Sequence, residues 1–392
     1  MNPMIRTGPE QNLNKTSPTS LNSRFAERFY GDRLAAADVR IGGDRPQDIR
    51  ILDRKFTRAL SQGLYGLREA YVDNLWDVDS LDDLTYRLLR AEVELGGVSA
   101  SPLKLRTLNS WFVGSLLSSR FFKVSAHYDL GNDLYALMLD PRMIYSCGYW
   151  REASTLAEAQ EAKLDLVCRK VGLKPGMRVL DIGCGWGGFA RYAAERHGVS
   201  VVGVTISQQQ HALGQEVCQG LPVELRLQDY RQIGREERFD AVVSIGMFEH
   251  VQKKYHRTYM EVVRRALKPD GLFLLQTIGC RVPSESRDIW INRHVFDGML
   301  PSPQLLTAAF EGLFSLENWH NLGADYDRTL MAWQQNFEAG WERIASHYGP
   351  RFRRFWNCYL LTCAGAFRAR TTQIWQLVLS PNGVVGGWPL IH

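Results

Sequence analysis

The sequence predicts an α/β protein built on a doubly wound parallel sheet, and three observations carry this prediction. Apolar, strand-like segments alternate with helix-like segments between residues 178 and 278. A glycine-rich turn at residues 183–188 separates the first of these strands from the helix after it. Hydrophobic residues make up 45% of the 392 residues, which is enough for a large core. We therefore expect one large α/β domain and a smaller domain before it.

The apolar periodicity places each element of the large domain. The predicted strands lie near residues 178–182, 199–205, 223–228, 239–246 and 271–278. The predicted helices between them lie near residues 187–197, 207–219 and 253–268. Two further strands are expected at 315–319 and 373–380. A helical insert accompanies them, with a helix at 301–314 and a Trp- and Phe-rich helical hairpin at 330–363.

The rest of the chain divides by composition. Residues 1–22 are rich in Asn, Ser, Thr and Pro without periodicity, which predicts a disordered leader. Residues 23–100 read as a small α/β or α+β domain, with a strand and turn at 39–51 and helices at 56–63 and 81–95. Residues 101–126 form a basic, aromatic linker, and the main domain is expected at 127–385.

The linker has an unusual charge pattern. Between Glu94 and Asp129 there is no acidic residue, and lysines and arginines are interleaved with Trp and Phe. Such a segment suits an anionic lipid surface, which would make residues 23–100 a lipid-associated domain. A basic linker whose aromatic side chains pack on a neighbouring domain fits the same pattern equally well.

Composition also argues against several classes of protein. The net charge of +5 is mild, and no run approaches the roughly 18 apolar residues of a membrane-spanning helix. The N-terminus lacks the apolar core of a signal peptide. The 7 cysteines are scattered without C-x-x-C spacing, so neither a disulfide framework nor a zinc site is indicated and no metal is predicted. We expect a cytosolic protein with reduced thiols and no nucleic acid partner.

The glycine-rich turn indicates a ligand pocket. Gly183, Gly185 and Gly188 allow the backbone to approach a ligand closely, and the following helix offers unpaired N–H groups. This arrangement predicts a nucleotide-type pocket at the strand ends. The G-x-G-x-x-G spacing alone is weak evidence, because many strand–turn–helix corners need glycine.

Neighbouring residues indicate which nucleotide cofactor would fit. Asp181 stands two residues before the first glycine, where it would repel a pyrophosphate but can pair with a cationic amine. The second strand ends at Thr205 without the acidic residue expected of an NAD site. Asp229 follows the third strand and can accept a hydrogen bond from an adenine amino group. These features favour S-adenosylmethionine over NAD.

Several separated motifs, in order along the chain, resemble one family. They lie at residues 127–129, 145–147, 179–188, 203–207, 244–251, 300–302, 323–327 and 367–370. On these motifs the sequence resembles the cyclopropane-fatty-acyl-phospholipid synthase family, which is related to the mycolic acid cyclopropane synthases. The resemblance covers residues from about 49 to 380. It implies a Rossmann-like, S-adenosylmethionine-dependent methyltransferase sheet with the catalytic domain at 127–385.

The resemblance also implies a reaction. Members of the family transfer a methylene group from S-adenosylmethionine to the cis double bond of an unsaturated phospholipid acyl chain. The π bond attacks the sulfonium methyl, and the carbocation that results loses a methyl proton as the cyclopropane ring closes. This chemistry needs a held methyl donor, aromatic faces beside the cation, and a base.

Matching the family's motifs residue by residue gives the candidate site. Together with Asp181, which the residues before the turn already indicate, the donor-binding candidates are Tyr145, Ser146, Gly183, Gly185, Thr205, Gln210, Asp229 and Tyr230. Tyr128 is a candidate for contacts with both the donor and the cation. The base is expected to be a bound bicarbonate, and its candidate ligands are Cys147, Glu249, Gln276, Ile278 and Tyr326. Cys147 and Ile278 would contribute backbone amides, and Tyr326 is expected in a loop.

Gln276 departs from the family pattern. The family has histidine at this position, whereas this chain has Gln276 within Leu-Gln-Thr-Ile. An amide can donate a hydrogen bond but cannot titrate or carry charge. We therefore expect bicarbonate to bind more weakly here.

The resemblance further implies a homodimer in the cytoplasm, associated peripherally with the inner face of the membrane through the phospholipid surface. Other functions stay open at this stage. One is methyl transfer to an unsaturated lipid without ring closure, or to a small amine. Another is a non-catalytic S-adenosylmethionine-binding module, which the presence of Glu249 and Tyr326 disfavours.

Overall fold

The structure, a computed structural model, describes residues 31–60, 63–94, 131–281, 289–295 and 298–392. The predicted leader, the basic linker and Tyr128 lie outside the described residues. The described N-terminal elements are β1 (Arg50–Ile51), α1 (Phe56–Leu60), α2 (Gly63–Val72), β2 (Trp76–Asp77) and α3 (Leu81–Glu94). The strand expected at 39–51 is therefore only two residues long, and it pairs antiparallel with β2.

The main domain contains a seven-stranded sheet with helices around it. Its strands are β3 (Arg178–Ile182), β4 (Ser200–Thr205), β5 (Val223–Leu227), β6 (Phe239–Ile245), β7 (Leu267–Cys280), β8 (Ser315–Asn321) and β9 (Thr372–Ser380). Its helices are α4 (Asn132–Met138), α5 (Leu156–Lys170), α6 (Gly188–His197), α7 (Gln208–Val217), α8 (His256–Ala266), α9 (Ile289–His294), α10 (Pro303–Phe310), α11 (Gly323–Gly340) and α12 (Ala345–Arg368). Short 3-10 turns lie at Tyr230–Gln232, Phe248–His250, Lys253–Tyr255 and Trp341–Arg343.

The strand order in this sheet is β5–β4–β3–β6–β7–β9–β8. The first five strands in this order are all parallel. The chain runs outward from β3 to β4 and β5 on one side, and then returns to β6 and β7 on the other side. The doubly wound prediction is thus confirmed, and the order reverses between β3 and β6, where ligands bind in such sheets.

Strand β9 is the exception to the parallel arrangement. It lies between β7 and β8 and is antiparallel to both. The helices α11 and α12 connect β8 to β9 as a hairpin, so the chain returns to the end of the sheet at which β8 finished. A hairpin connection of this kind forces the next strand to run in the opposite direction.

The helical hairpin is longer than the predicted 330–363, because α11 already begins at Gly323. The expectation of a loop around Tyr326 was therefore wrong: Tyr326 lies in the first turn of α11 and is buried. Its ring packs on Phe367 of α12, with 4.6 Å between the ring centroids. The flanking aspartates suggested a surface loop, but an acidic residue in the first turn also favours a helix.

The described N-terminal elements pack on α12. Arg368 of α12 donates hydrogen bonds to Asp82 of α3 and to Asp327 of α11, each at 2.8 Å. Gly365 allows this close contact, since a Cβ there would lie 2.5 Å from the carbonyl oxygen of Asp82. Apolar residues of α2 and α3 share one cluster with α4, α11 and α12. The boundary between domains at residue 100 remains a prediction.

Within the described ranges, no helix has both the length and the apolar character needed to cross a membrane.

Two further apolar clusters cover the two faces of the sheet. One lies on the face that carries α8 and α10, and the other on the face that carries α5 and α6. The helices thus cover both faces of the sheet, and a ligand can approach at the ends of the strands.

Candidate active site

A cavity of about 330 Å³ lies at the carboxyl ends of β3, β4, β5 and β6. Its position is the one expected for ligand binding in a doubly wound sheet. All of the predicted donor-binding residues line it: Tyr145, Ser146, Asp181, Gly183, Gly185, Thr205, Gln210, Asp229 and Tyr230. The structure thus brings together residues that are spread over 86 positions of the sequence.

The glycine turn lines the cavity. Gly183 and Gly185 have φ angles of +82° and +55°, a backbone conformation that favours glycine. A Cβ at Gly183 would lie 2.7 Å from Cβ of Met247, so a larger residue would collide with the turn after β6. The helix α6 begins immediately afterwards, at Gly188. The strand–turn–helix prediction is confirmed here.

Asp181 presents a buried carboxyl group to the cavity. It is 2% exposed, and among the described residues its Oδ2 has no hydrogen-bond partner. Burial raises the pKa of Asp181 to about 7, and the charge of Lys163 acts in the opposite direction. A buried acceptor with no partner is costly unless a ligand satisfies it. The cationic amino group of a sulfonium amino acid would do so, so this feature fits S-adenosylmethionine.

Helix α5 supplies two buried residues that contact Ser146 and that the sequence did not reveal. Nζ of Lys163 donates to Oγ of Ser146 at 3.0 Å, and Nε2 of Gln160 donates to the carbonyl oxygen of Ser146 at 2.7 Å. Both side chains are fully buried. Their spacing of three places them on the same face of the predicted helix as Leu164, and a polar pair on that apolar face was the signal available in the sequence.

Thr205, Gln210 and Asp229, which lie at or after the ends of β4 and β5, also line the cavity. Oγ1 of Thr205 donates to Oε1 of Gln210 at 2.9 Å, and both residues are buried. Asp229 was expected to accept from an adenine amino group. In the structure its carboxylate accepts from Nε and Nη2 of Arg231, at 2.9 and 2.6 Å. Oδ1 also accepts from the backbone N–H of Arg231 at 2.9 Å, but Oδ2 has a second lone pair, so Asp229 can still accept from a ligand.

Tyr145, which lines the cavity, belongs to a group of packed aromatic side chains. The ring of Tyr145 lies 5.0 Å from Trp333 and 5.1 Å from Tyr135 between centroids. Its hydroxyl oxygen is 3.3 Å from that of Tyr359. Tyr326 lies 5.9 Å from Trp333 with its ring edge-on. These rings offer π faces to a cation that forms beside the donor.

Glu249 follows β6 and lies beside the cavity. It is 3% exposed, and burial raises its pKa to about 7. Its Oε2 accepts from Oγ1 of Thr277 at 3.1 Å, and its Oε1 accepts from the backbone N–H of Ile278 at 3.5 Å. A Cβ at Gly246 would lie 3.9 Å both from Oε1 of Glu249 and from Cβ of Ser146. Gly246 lines the donor cavity, so Glu249 lies directly beside a residue of the cavity wall.

Cys147 and Tyr326 lie in the same region as Glu249. Burial raises the pKa of the Tyr326 hydroxyl, and the nearby carboxyl group of Glu249 raises it further. Cys147 is fully buried, and its thiol donates to the carbonyl oxygen of Gly148 at 3.1 Å. The thiol is therefore directed to the backbone, which leaves the amide as the group that Cys147 would offer to an anion.

Gln276 is fully buried on β7 and meets a second glutamine. Its Oε1 accepts from Nε2 of Gln376 on β9 at 2.9 Å. Within the described part of the chain, Nε2 of Gln276 has no hydrogen-bond partner. Gln376 is 100 residues away in the sequence, and no sequence pattern predicted the contact.

The sheet order, the glycine turn and the cavity with its buried carboxyl group define the class of the S-adenosylmethionine-dependent methyltransferases. A family model described as mycolic acid cyclopropane synthetase matches residues 117–377. The chain is 47% identical to the cyclopropane-fatty-acyl-phospholipid synthase of Escherichia coli K12, over 92% of this chain and 94% of that protein. The chain therefore belongs to the cyclopropane synthase family.

Two further comparisons agree with this assignment. A probable fatty acid methyltransferase of Pseudomonas putida is 36% identical, over 65% of this chain and 68% of that protein. The crystal structure of the mycolic acid cyclopropane synthase CmaA1, complexed with S-adenosylhomocysteine and CTAB, superposes with a TM-score of 0.60. It is 33% identical and covers 65% of this chain and 96% of that chain. S-adenosylmethionine is thus supported as the cofactor of this enzyme.

Proposed function

We propose that this enzyme transfers a methylene group from S-adenosylmethionine to the cis double bond of an unsaturated phospholipid acyl chain, forming a cyclopropane ring. One observation carries the proposal: Tyr145 lines the donor cavity and packs against the buried aromatic rings of Tyr135 and Trp333. When bound, S-adenosylmethionine supplies the methyl carbon. The π faces of Tyr145, Trp333 and Tyr326 would stabilise the cation that develops on the acyl chain.

The residues around Glu249 support a role in removing the methyl proton. Loss of that proton lets the electrons of the C–H bond form the second ring bond, which discharges the cation. We propose that a bicarbonate ion accepts the proton, held by the backbone amides of Cys147 and Ile278 and by Glu249, Gln276 and Tyr326. The unpartnered N–H group of Gln276 fits this proposal, because it is a buried donor without an acceptor in the described part of the chain.

Glu249 and Tyr326 are buried, and a buried anion beside them is favoured when it carries a proton or accepts hydrogen bonds from several donors. Glu249 has a pKa raised to about 7 by burial, so it can share a proton with a neighbouring oxygen anion near neutral pH. Tyr326 is a donor whose raised pKa keeps it protonated. Neither group is a strong nucleophile in this state, so neither would trap the cation before the ring closes.

We also propose that the enzyme works as a homodimer at the cytoplasmic face of the membrane. The substrate class supports this location, since the double bond lies within a phospholipid acyl chain. The expected basic, aromatic linker at 101–126 is the segment that would contact the lipid surface. Tyr128, which follows it, remains a proposed contact for the donor and the cation.

Mass spectrometry of lipids from cells that express the chain tests the proposed reaction. The expected result is a gain of one methylene mass in the unsaturated phospholipids, with proton NMR showing the upfield signals of a cyclopropane ring. The matched control is Glu249→Gln, which keeps the shape of the side chain and should abolish the gain while donor binding persists. Absence of any gain in the lipids, with the wild-type protein folded and donor-bound, would contradict the proposal.

A second function is methyl transfer to an unsaturated lipid without ring closure. The relative named as a probable fatty acid methyltransferase favours it, together with the amide at position 276 in place of an imidazole. A weaker base would leave time for the cation to lose a different proton and give a methyl-branched alkene. The same NMR experiment separates the two outcomes, because a branched alkene retains vinyl signals. Methyl transfer to a small amine would leave the lipids unchanged.

A further inference from the structure

Gln276 and Gln376 form a buried pair of amides on neighbouring strands. They lie directly opposite each other in the antiparallel register of β7 and β9, and both are fully buried. Nε2 of Gln376 donates to Oε1 of Gln276 at 2.9 Å. Among the described residues, neither Nε2 of Gln276 nor Oε1 of Gln376 has a hydrogen-bond partner. A buried polar atom of this kind usually has a ligand, an ion or water to satisfy it.

The strand register shows which face of the sheet the pair lies on. Two residues further along, Ile278 and Ile374 are opposed in the same way, and both belong to the apolar cluster that contains Cys147 and Tyr326. Side chains two residues apart on a strand point to the same face. The amide pair therefore lies on the face that carries the candidate base site, next to the cluster around Tyr326.

We propose that Gln376 is a positioning residue for the anion site, because it holds Gln276 with its Nε2 amide hydrogens available to the anion. This inference rests on the bicarbonate base of the proposed function. A glutamine side chain carries a donor nitrogen and an acceptor oxygen in nearly equivalent positions, and its hydrogen bonds decide which one faces a ligand. With Oε1 of Gln276 engaged by Gln376, the nitrogen is the end that remains.

This pairing gives a physical account of how an amide serves where the family pattern has histidine. An imidazole N–H facing an anion needs only the correct tautomer, and a protonated imidazole is a donor at both nitrogens. An amide turned the wrong way places its carbonyl oxygen against the anion and repels it. In the observed pairing Nε2 of Gln376 donates to that carbonyl oxygen and keeps it away from the anion.

The first test measures bicarbonate binding to the purified full chain, without donor or lipid, by line broadening in ¹³C NMR of labelled bicarbonate. Gln376→Leu removes the donor to Gln276, and we expect the Kd for bicarbonate to rise roughly fivefold to tenfold, the usual effect of one lost hydrogen bond. Gln373→Leu is the matched control. It removes another inter-strand amide of β9, which accepts from Asn321 at 2.7 Å, and should leave the Kd unchanged.

A second variant keeps the test decisive if Gln376→Leu fails to fold. Gln376→Glu preserves the size of the side chain but offers acceptors only when ionised, so it would engage Nε2 of Gln276 and withdraw that donor from the anion. We expect it to weaken bicarbonate binding at least as much as Gln376→Leu. Isothermal titration with S-adenosylmethionine should give the wild-type affinity for each folded variant.

Repeating Gln376→Leu in a Gln276→His background separates positioning from simple packing. Histidine at 276 needs no amide partner to choose its donor, so the second substitution should raise the bicarbonate Kd less than twofold there. An equal loss in both backgrounds, or a wild-type Kd in Gln376→Leu itself, would overturn this inference and leave the bicarbonate base standing. A wild-type protein that binds no bicarbonate would overturn both.

Discussion

Nζ of Lys163 lies 3.0 Å from Oγ of Ser146 and places a buried ammonium group beside the donor cavity. Burial lowers the pKa of Lys163 to about 8, while the carboxyl groups of Asp140 and Asp181 act in the opposite direction. The lysine is therefore both an anchor for the segment 145–147 and a cation whose charge lowers the pKa of Asp181. Removing it should change the charge state of the cavity as well as its shape.

Replacing Lys163 with methionine should weaken donor binding most strongly at neutral and lower pH. Lys163 lowers the pKa of Asp181, so its removal lets that pKa rise above 7 and leaves less carboxylate to pair with the donor's amino group. At pH 7 we expect roughly a fivefold to tenfold higher Kd, and the affinity should recover as the pH rises. Isothermal titration at several pH values measures this shift.

Lys170→Met provides the control for this effect. Lys170 lies two helical turns further along α5, burial lowers its pKa to about 7, and its Nζ contacts Nδ1 of His320 at 3.0 Å. Its loss should affect stability but leave the pH profile of donor binding unchanged. An identical shift of the pH profile in both variants would show that the loss of any buried lysine on α5 produces the effect.

Asp181 should make donor binding depend on pH in the wild-type protein. Its pKa of about 7 means that the carboxyl group is mostly protonated at pH 6 and mostly ionised at pH 8. Because the ionised form pairs with a cationic amine, the Kd should fall roughly tenfold between these values, with a proton released on binding at the lower pH. Asp181→Asn should bind more weakly and show a flat profile. Titrations in buffers of different ionisation enthalpy count the released proton.

The same raised pKa predicts how the ligand-free protein responds to pH. The native pKa of Asp181 lies above the ordinary value of 3.8, so its contribution to stability is fully present only below about pH 3.8 and is lost progressively as the pH rises from there through about 7. Between pH 6 and pH 8 the free energy of unfolding should therefore fall in the wild type relative to Asp181→Asn. Urea titrations without ligand compare the two, and parallel profiles would contradict the assignment.

Local motifs made much of this site predictable from the sequence. Asp181 lies near the end of a strand whose apolar pattern is clear, and the glycine turn and the residue pair at 229–230 each follow such a strand. Parallel strands bring their carboxyl ends together. Lys163 was missed because a lysine on an apolar helix face has no local signature of its partner. Its meaning depends on Ser146, which packing alone brings to it.

Contacts between distant strands and helices explain the other differences. Tyr326 was assigned to a loop because its two aspartate neighbours look solvent-exposed, but packing against Phe367 makes that position helical and buried. The antiparallel direction of β9 follows from the hairpin of α11 and α12. The sequence predicts two helices there, but it does not predict the angle between them. The partnership of Gln276 with Gln376 depends on that direction and its register.

Glu249→Gln should reduce ring formation by roughly a hundredfold or more, the scale of a lost acid–base group, without changing the donor Kd. The carboxylate accepts from Thr277 and from the amide of Ile278, and an amide oxygen can retain one of these bonds. Thr277→Val is a graded comparison, because it removes only one donor to Glu249 and should cost several-fold. Single-turnover assays at saturating donor separate these effects from binding, and equal losses in kcat for both variants would contradict a direct role of Glu249.

Thr329→Val should destabilise the protein although it changes no residue of the cavity. The buried hydroxyl of Thr329 accepts from the backbone N–H of Gly148 at 3.0 Å and from Nε1 of Trp150 at 2.8 Å. Valine has the same shape but leaves both buried donors unpaired, each at a cost of roughly 1–3 kcal/mol. We expect the free energy of unfolding in urea to fall by about 2–4 kcal/mol.

The comparison for Thr329 is Thr307→Val in α10. The hydroxyl of Thr307 donates to the carbonyl oxygen of Pro303 at 2.9 Å, a helical contact in a partly exposed position that leaves no buried donor behind. Its loss should change the free energy of unfolding by less than about 1 kcal/mol.

Because Thr329 fixes the chain directly after Cys147, donor-dependent ring formation should also fall in Thr329→Val at temperatures where the variant remains folded. Full activity there would show that the segment 145–147 is held by α5 alone.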